Sequence, residues 1–427
     1  MDKFNKILFL IFILLSGFTS TFGKVGVGIL GRLTISDIFG GAYLIIFTFT
    51  NFNKRISIPA IAKVYFLVLL FYTLGLFFSL NKTQTMIELA IHYYLVILFI
   101  ASYNTFKNNE DNLYMLFFVI STALMIVSLV GLYDMIAKFS GLPVIRKYSL
   151  FYPCAVSTFR NCGQAGAFAI IFLFILIGLR LSKLWEKINK KTRLLHSFAI
   201  VSGTFFLLLT VKVASYIGFI VGMILLLIFN LKNFNRIVLR LGILSIISLL
   251  LIYFSFRTPI FLPWQKWFSG KLKLRFGEIL NPDKYEKRGF LRRNWEMAID
   301  EFTMRPFFGT GLGGFSDVIS KYEIHSTPLK LLGEGGIFAF WAYLIFLVFL
   351  INRRFIKVTR STVYGDFLKK LFPLFLGLIV NWIYTYHLRK REFWILLLII
   401  ELAYKFHKER LRRVSNGKIV NILTRFR

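Results

Sequence analysis

Apolar runs of about 20 residues, long enough for one helix to cross a bilayer, recur along almost the whole chain and constrain its fold more than any other feature. No segment between the runs leaves room for a soluble domain of useful size. The pattern predicts an all-α polytopic membrane protein with about 12 transmembrane helices in a single integral membrane domain, residues 1–427. The predicted spans lie near 7–23, 34–51, 60–80, 86–103, 113–135, 165–182, 194–211, 214–231, 238–256, 327–350, 370–387 and 392–406.

The basic residues predict how these helices are oriented. The formal net charge of +33 would favour nucleic acid in a soluble protein, but here much of it lies in short loops beside the predicted membrane. Anionic lipids are therefore the expected partner of this charge, and no nucleic acid is expected. The positive-inside rule places the N- and C-termini in the cytoplasm. The clusters behind this orientation are Lys54–Arg55, Arg180–Arg193, Lys232–Arg240, Arg353–Lys370 and the tail from Lys405.

A long loop, 257–326, separates predicted spans nine and ten on the outer face. Its first part, around Pro263–Phe276, alternates aromatic and basic residues, as in an amphipathic segment at the membrane interface or in an aromatic belt. Its second part carries Arg288, Arg292 and Arg293. Arginines gathered at a membrane edge indicate a binding site for an anion such as a phosphate or diphosphate.

Two further cations lie on other predicted outer loops. Lys212 falls in the short turn between spans seven and eight, and Arg160 precedes span six. A lysine so close to hydrocarbon either has an anionic partner or extends outward to water. Together with the arginines of the long loop, both residues are candidates for binding phosphate.

His325 is the candidate catalytic residue. It lies at the predicted boundary between membrane and water, just before span ten. Nearby basic side chains should lower its pKa, which would keep the imidazole neutral and able to accept a proton from a hydroxyl. Glu334, within span ten, is expected to face the protein interior with a partner.

A glycine run within the same long loop and two cysteines before span six are further features of the predicted outer side. The run Gly309-Thr310-Gly311-Leu312-Gly313-Gly314 follows no strand, so it does not predict a nucleotide-binding loop. Positive φ and close backbone approach, which suit a tight turn back to the membrane edge, are the expected use of Gly309 and Gly311. Cys154 and Cys162 either form a disulfide outside the cytoplasm or remain as two thiols.

The sequence lacks motifs for several kinds of chemistry. It has no Walker lysine loop, no Asp-x-Asp pair on a soluble domain and no His/Cys cluster with metal-ligand spacing. These absences disfavour ATP, nucleotide-sugar and zinc chemistry, and no cofactor or metal is predicted. A lipid-linked donor fits a site on the outer face better.

The segment RRNWEMAIDEFTMRPFFGTGLGGF, followed by IHSTPLKLLGEGGI, resembles the O-antigen ligase and O-antigen polymerase superfamily of bacterial envelope glycosyltransferases. A weaker likeness is STFRNCGQAGAFAIIF before span six. The order and spacing of the spans follow the family over nearly the whole chain, and about 60 residues match its motifs specifically. The resemblance implies a GT-C-like fold in the bacterial inner (plasma) membrane with an active site on the periplasmic side.

The resemblance also implies an activity and residue roles. The chain would transfer a glycan from an undecaprenyl-diphosphate carrier to an acceptor hydroxyl, with inversion and without a metal. His325 would activate the acceptor, and Arg292 would bind the diphosphate with Arg288 and Arg293 as competitors. Trp295, Glu334 and the glycines would support the site. Where the family has a Ser-Arg pair, this chain has Lys212, a point charge without the arginine fork.

Several functions remain open at the level of sequence. A ligase acting on lipid A-core, a polymerase extending a growing glycan and a protein oligosaccharyltransferase would all use the same donor. A lipid-linked oligosaccharide flippase or transporter would belong to another class. Transporters of this size tend to show related halves and polar residues at mid-membrane, whereas here the polar residues gather on one outer loop.

Overall fold

The chain folds as a bundle of α-helices, and the regular elements of its described residues include no β-strand. The computed structural model describes residues 2–19, 33–145, 154–231, 234–280, 290–316, 318–320 and 323–425. The helices are α1 (Asp2–Leu15), α2 (Ile35–Asn51), α3 (Ala60–Gly75), α4 (Lys82–Phe106), α5 (Asp111–Ser140), α6 (Cys162–Leu181), α7 (Lys190–Leu209), α8 (Val213–Ile228), α9 (Phe234–Arg257), α10 (Leu262–Leu280), α11 (Phe290–Met304), α12 (Thr327–Ile351), α13 (Val363–Ile383) and α14 (Arg391–Arg425).

Each predicted span overlaps one of these helices, and the expectation of a polytopic helical membrane protein is supported. Six helices of the described residues, α3 to α7 and α12, are long and apolar enough to cross a membrane. The shorter α2 and α8 are also apolar. The predicted outer loop is not irregular throughout, because it contains α10 and α11. Their charged and aromatic composition hid them from a search for apolar runs.

Contacts between helix ends define two ends of the bundle. At one end, Arg391 at the start of α14 pairs with Asp37 at the start of α2, with Nε and Oδ1 2.8 Å apart. At the other end, Arg410 of α14 pairs with Glu110, which immediately precedes α5. The first end also carries His325 and is called the His325 end below. The second is called the opposite end.

Glycines bring α8 and α13 into close backbone contact. A Cβ atom added to Gly377 of α13 would lie 2.4 Å from the carbonyl oxygen of Gly218 and 2.6 Å from the Cα atom of Gly222. Gly218 and Gly222 are four residues apart and therefore lie on one face of α8. Small residues with this spacing let membrane helices approach closely. The packing fixes α8, whose first turn follows Lys212, against the rest of the bundle.

Near the His325 end, α12 has a break in its helical backbone at Gly336. Gly336 has φ of +68° and ψ of −171°, which no helix interior has. The freed backbone N–H of Ile337 donates to the carbonyl oxygen of Pro306 at 2.7 Å. Irregular backbone at membrane depth is tolerated where protein satisfies its polar groups, as it does here. The break leaves a short helix, beginning at Thr327, directly behind His325.

Candidate functional site

His325 lies in an extended segment between α11 and α12. Ile324 before it is buried, and Ser326 after it is the N-cap of α12, its hydroxyl accepting from the backbone N–H of Leu329 at 3.4 Å. The sequence Ser-Thr-Pro explains the start of the helix, since serine caps and proline fits the first turn. The imidazole is exposed to solvent. It can therefore be reached by a substrate from outside the bundle.

Lys212 is the N-cap residue of α8 and follows a strained turn. Val211 has φ of +47°, a conformation that β-branched residues rarely adopt. The turn is held by the backbone N–H of Ala155, which donates to the carbonyl oxygen of Leu209 at 2.9 Å. Strained backbone of this kind is often retained at functional sites.

Two glycines of α6 make room for the Lys212 side chain. A Cβ atom on Gly166 would lie 2.8 Å from the Cβ of Lys212, and one on Gly163 would lie 3.5 Å from its Nζ. The lysine therefore lies along the first turn of α6. That turn begins at Asn161, whose side-chain oxygen accepts from the backbone N–H of Gln164 at 2.9 Å. The N-termini of α6 and α8 thus lie together, and helix N-termini favour anions.

Arg389 ties the His325 segment to α4. Its guanidinium donates to Glu88 Oε1 at 2.8 Å and to Glu323 Oε2 at 2.5 Å. Burial alone would lower the pKa of Arg389, but the two carboxylates outweigh burial and raise it. Glu323 is two residues before His325, so this pair holds the segment that presents the imidazole.

The surroundings of His325 lower its pKa to about 4. The main cause is loss of hydration, and the positive charge of Lys212 is the second. Lys330 and Arg389 act in the same direction, whereas Glu323 opposes them. The ring is exposed at its surface, yet the protein around it still removes part of its hydration. The predicted lowering is confirmed, although the sequence had attributed it to like charge alone.

A buried ion pair lies beneath the site. Lys330 Nζ is 3.3 Å from Glu334 Oε2, and both side chains are fully buried. The same carboxylate oxygen accepts from the backbone N–H of Gly313 at 2.6 Å. The lysine also lies over the ring of Tyr386, 4.7 Å from its centroid. The expectation that Glu334 faces the interior with a partner is confirmed, and that partner is a lysine.

Removing one charge of this pair should destabilise the protein more than removing both charges. Glu334→Gln keeps an acceptor for the Gly313 N–H but leaves Lys330 as a buried cation without its carboxylate. We expect the variant to lose about 3–5 kcal/mol of stability, the usual cost of breaking a buried pair. The double variant Lys330→Met with Glu334→Gln removes both charges and should recover most of the loss. Thermal unfolding in detergent measures both, and equal destabilisation of the two variants would contradict the assignment.

The glycine run packs α12 against the rest of the site. Gly309, Gly311 and Gly313 have φ of +62°, +84° and +77°, as expected for a tight turn. A Cβ atom on Gly309 would lie 2.5 Å from the carbonyl oxygen of Gly333, and one on Gly311 would lie 2.4 Å from Ser79 side-chain atoms. The glycines therefore allow close backbone approach, which leaves Gly313 in position to bind Glu334.

Of the three arginines in the long loop, the structure describes the backbone of Arg292 and Arg293. Arg288 lies outside the described residues. Arg292 and Arg293 belong to the first turn of α11, and their side chains are not described. The next residue, Asn294, donates its side-chain amide to the carbonyl oxygen of Glu323 at 2.9 Å. The N-terminal part of α11 therefore contacts, through Asn294, the segment that carries His325.

Trp295 and Arg160 have structural contacts. The Trp295 ring lies 5.7 Å from that of Tyr384, which joins α11 to the end of α13. Arg160 donates its Nε–H to the carbonyl oxygen of Thr19 at 3.2 Å. It lies three residues from Gly163, which faces Lys212. Both residues thus lie at the His325 end.

Cys154 and Cys162 are joined in a disulfide, with their Cα atoms 6.3 Å apart. The bridge links the segment before α6 to the first residue of that helix. Of the two alternatives left open by the sequence, the structure therefore has the bonded one. The backbone N–H of Ala155, beside the bridge, supports the turn that carries Lys212.

The sequence analysis did not identify Glu88, Glu323 or Arg389. Arg389, Lys390 and Arg391 form a basic cluster in a short loop that the orientation rule assigns to the outer side. A cluster that violates the rule signals local anionic partners. Glu88 lies within a predicted span, and a carboxylate inside the membrane requires a partner. Together, the basic cluster and Glu88 could have indicated this ion pair.

Metal-binding clusters are not found in the part of the chain that the structure describes, where no three His, Cys, Asp or Glu side chains gather as ligands.

A protein-family model matches the middle part of the chain. Residues 197–344 match the family model described as O-antigen ligase, which confirms the resemblance to the O-antigen ligase and polymerase superfamily over that segment. No curated protein matches the chain. The matched segment runs from within α7 to within α12 and includes Lys212, the three arginines and His325. It supports a glycosyltransferase-like function of the ligase or polymerase type in general.

Proposed function

We propose, from the match of residues 197–344 and the geometry around His325, that this chain transfers a glycan from an undecaprenyl-diphosphate carrier to an acceptor hydroxyl. The observation that carries the proposal is an accessible imidazole with a lowered pKa beside a lysine and two helix N-termini. A neutral imidazole can take a proton, and the lysine and helix ends can bind an anion. The donor of such a reaction presents both a leaving diphosphate and a reactive sugar carbon.

The diphosphate is assigned to the region of Lys212. Lys212 contacts the first turn of α6, which adds the partial positive charge of that helix N-terminus. Arg292, with Arg288 and Arg293 as competitors, supplies bidentate binding in this proposal. Arg160 is a further candidate on the α6 side. Cations fixed around the leaving group stabilise the charge that develops as the glycosidic bond breaks.

The chemical step follows from these roles. The acceptor oxygen forms a bond to the sugar C1 atom as the bond from C1 to the phosphate oxygen breaks. The acceptor proton moves to a ring nitrogen of His325, and the leaving diphosphate keeps the electron pair. Attack from the face opposite the diphosphate inverts the configuration at C1. Glu323 and Arg389 position the histidine and do not touch the reacting atoms.

The membrane arrangement forms part of the proposal. Twelve spans, cytoplasmic termini and a His325 end facing the periplasm of a bacterial inner membrane would let the site meet a lipid-linked donor there. A membrane-impermeant maleimide tests this with single cysteines at exposed positions in a variant lacking Cys154 and Cys162. Lys266→Cys in α10 should be labelled in intact spheroplasts, whereas Lys357→Cys at the opposite end should react only after permeabilisation. The reverse pattern would refute the proposed orientation.

Reconstitution tests the activity. Purified protein in liposomes receives an undecaprenyl-diphosphate glycan with either lipid A-core or a second glycan carrier as acceptor. Transfer to lipid A-core supports a ligase, and extension of the second glycan supports a polymerase. Movement of the donor across the bilayer without bond cleavage would contradict the proposal and indicate a flippase. Mass spectrometry of the lipid products detects transfer or extension, and protection of the uncleaved donor from an added glycosidase detects its movement across the bilayer.

A further inference from the structure

A cationic cavity lies at the opposite end of the bundle. It has a volume of about 170 Å³, enough for several water molecules or a phosphate group. The basic residues that line it are Lys183, Arg240, Arg360 and Lys370. Asp366 is the one carboxylate among the described lining residues.

The cavity is distant from the candidate active site. Lys183 follows the C-terminus of α6, whereas Lys212 lies against the N-terminus of the same helix. The 20 residues of α6 span about 30 Å at 1.5 Å per residue. The two cation-rich regions are therefore separate from each other. Three of the four basic residues that line the cavity, Lys183, Arg360 and Lys370, lie outside residues 197–344.

Three basic clusters that are separate in the sequence converge on this cavity. Lys183 comes from the segment after α6, Arg240 from α9, and Arg360 and Lys370 from the segment before α13 and from α13 itself. Like charges brought this close repel one another, and their cost is highest where water is scarce. An anion bound among them would offset that repulsion.

One neutral side chain, Asn230, accepts hydrogen bonds from two of the cations that line the cavity. Lys370, only 6% exposed, donates to Asn230 Oδ1 at 2.6 Å, and Arg360 donates to the same oxygen at 3.2 Å. Two acidic side chains of the described residues lie nearby. Asp366 accepts from the backbone N–H of Lys183 at 2.8 Å, and Glu186 pairs with Arg240 at 2.9 Å on the exposed side.

Exposed apolar side chains lie next to the cavity. Ile228 and Leu231 flank Asn230, and Leu239 precedes Arg240, with exposed fractions of 54%, 65% and 73%. In a bundle that crosses a membrane, such side chains face acyl chains. A ligand with a phosphate and acyl chains would satisfy both surfaces at once. Basic pockets between membrane helices bind anionic headgroups in this way.

We propose that this cavity binds the phosphate headgroup of an anionic phospholipid, whose acyl chains lie along α8 and α9. Phosphate accepts from arginine and lysine donors arriving from several directions, which this lining provides. Exposed Lys183 and Arg360 form its mouth, and buried Lys370 its base. The site is independent of the proposed transferase activity and is tested without it.

Native mass spectrometry of the full chain in detergent tests the proposal. Delipidated protein is titrated with phosphatidylglycerol and, separately, with phosphatidylcholine. The variant Lys183→Gln with Arg360→Gln is compared with Lys190→Gln and Lys191→Gln, which remove two exposed charges from the same end but not from the cavity. Removal of the cavity pair should weaken phosphatidylglycerol binding about 25-fold, at roughly fivefold per charge. The control pair should change it less than about twofold, since neither lysine lines the cavity.

Further arms separate the sources of phosphate. If inorganic phosphate alone raises the unfolding temperature as much as phosphatidylglycerol does, the ligand is free phosphate and the lipid assignment is overturned. If both variant pairs bind phosphatidylglycerol alike, or if phosphatidylcholine binds as well as phosphatidylglycerol, the cavity is not a headgroup site. Lys370→Met replaces the cation at the base of the cavity with a neutral side chain of similar volume. This variant should also lose the preference for the anionic lipid. Retained preference in a folded Lys370→Met protein likewise overturns the proposal.

Discussion

Replacing His325 by alanine is expected to reduce glycan transfer by about 10²- to 10⁴-fold, the usual contribution of a positioned general base. The imidazole is accessible and its pKa is lowered, so at neutral pH the ring is uncharged and one of its nitrogens can take the proton of the acceptor hydroxyl. The side chain is exposed, and its removal leaves no cavity in the core. Expression and unfolding temperature should therefore remain near those of the unmodified protein.

The rate should be measured in the reconstituted assay under single-turnover conditions, so that product release does not mask the chemical step. Donor binding should change little, because the histidine acts on the acceptor. His325→Gln provides a polar variant of similar size that cannot act as a base, and it should be as inactive as the alanine variant. Transfer within about tenfold of the unmodified rate in either folded variant would remove His325 from the mechanism.

Replacing Lys212 by methionine is expected to reduce transfer by about 10²- to 10³-fold, as when one fixed donor to a developing negative charge is lost. Methionine keeps most of the length and apolar volume that the lysine fills against Gly163 and Gly166. The turn at Val211 should therefore persist. Lys212→Arg restores a cation and offers a fork to phosphate, so it should recover at least part of the activity.

A matched control is Lys190→Met, which removes an exposed lysine at the opposite end of the bundle. It should leave transfer unchanged. If Lys212→Met and Lys190→Met are equally active, Lys212 does not bind the diphosphate. A loss caused by misfolding would appear in both the unfolding temperature and the retention of donor, whereas a loss of charge stabilisation should appear mainly in the rate.

Lys212→Met should also change the pH dependence of glycan transfer. The base works when neutral, so kcat/KM should stay level as pH falls from 8 to about 5 and decline only near the His325 pKa of about 4. Lys212 is one of the charges that lower this pKa. Its removal should move the acidic decline upward, part of the way toward 6.5, because burial still acts. An unchanged profile in Lys212→Met would show that the two residues do not interact.

The sequence predicted the helices well because membrane burial imposes a simple rule. Hydrocarbon demands about 20 apolar residues per crossing, and that demand can be read without knowledge of the neighbours. The helices α10 and α11 were not predicted, because they carry charge and are not apolar throughout. The positive φ of Gly309 and Gly311 could likewise be predicted, since the preference is a property of the residue itself.

The partners of the candidate site could not be predicted in the same way. Lys330 and Glu334 are four residues apart on one helix, so their pairing follows from helix spacing. Glu88 and Arg389 are separated by most of the chain, and only the packing of α4 against the start of α14 brings them together. No local pattern encodes such a contact.

The sequence by itself determined that the chain is a helical membrane protein with a cationic segment between predicted spans nine and ten, and its motifs pointed to the ligase superfamily. Tertiary structure decided which charges meet. It placed Lys212 against α6 beside the His325 segment, held that segment through Arg389, and gathered three basic clusters into one cavity at the opposite end. The physical reason is that burial and helix spacing act locally along the chain, whereas ion pairs depend on distances between helices that only packing sets.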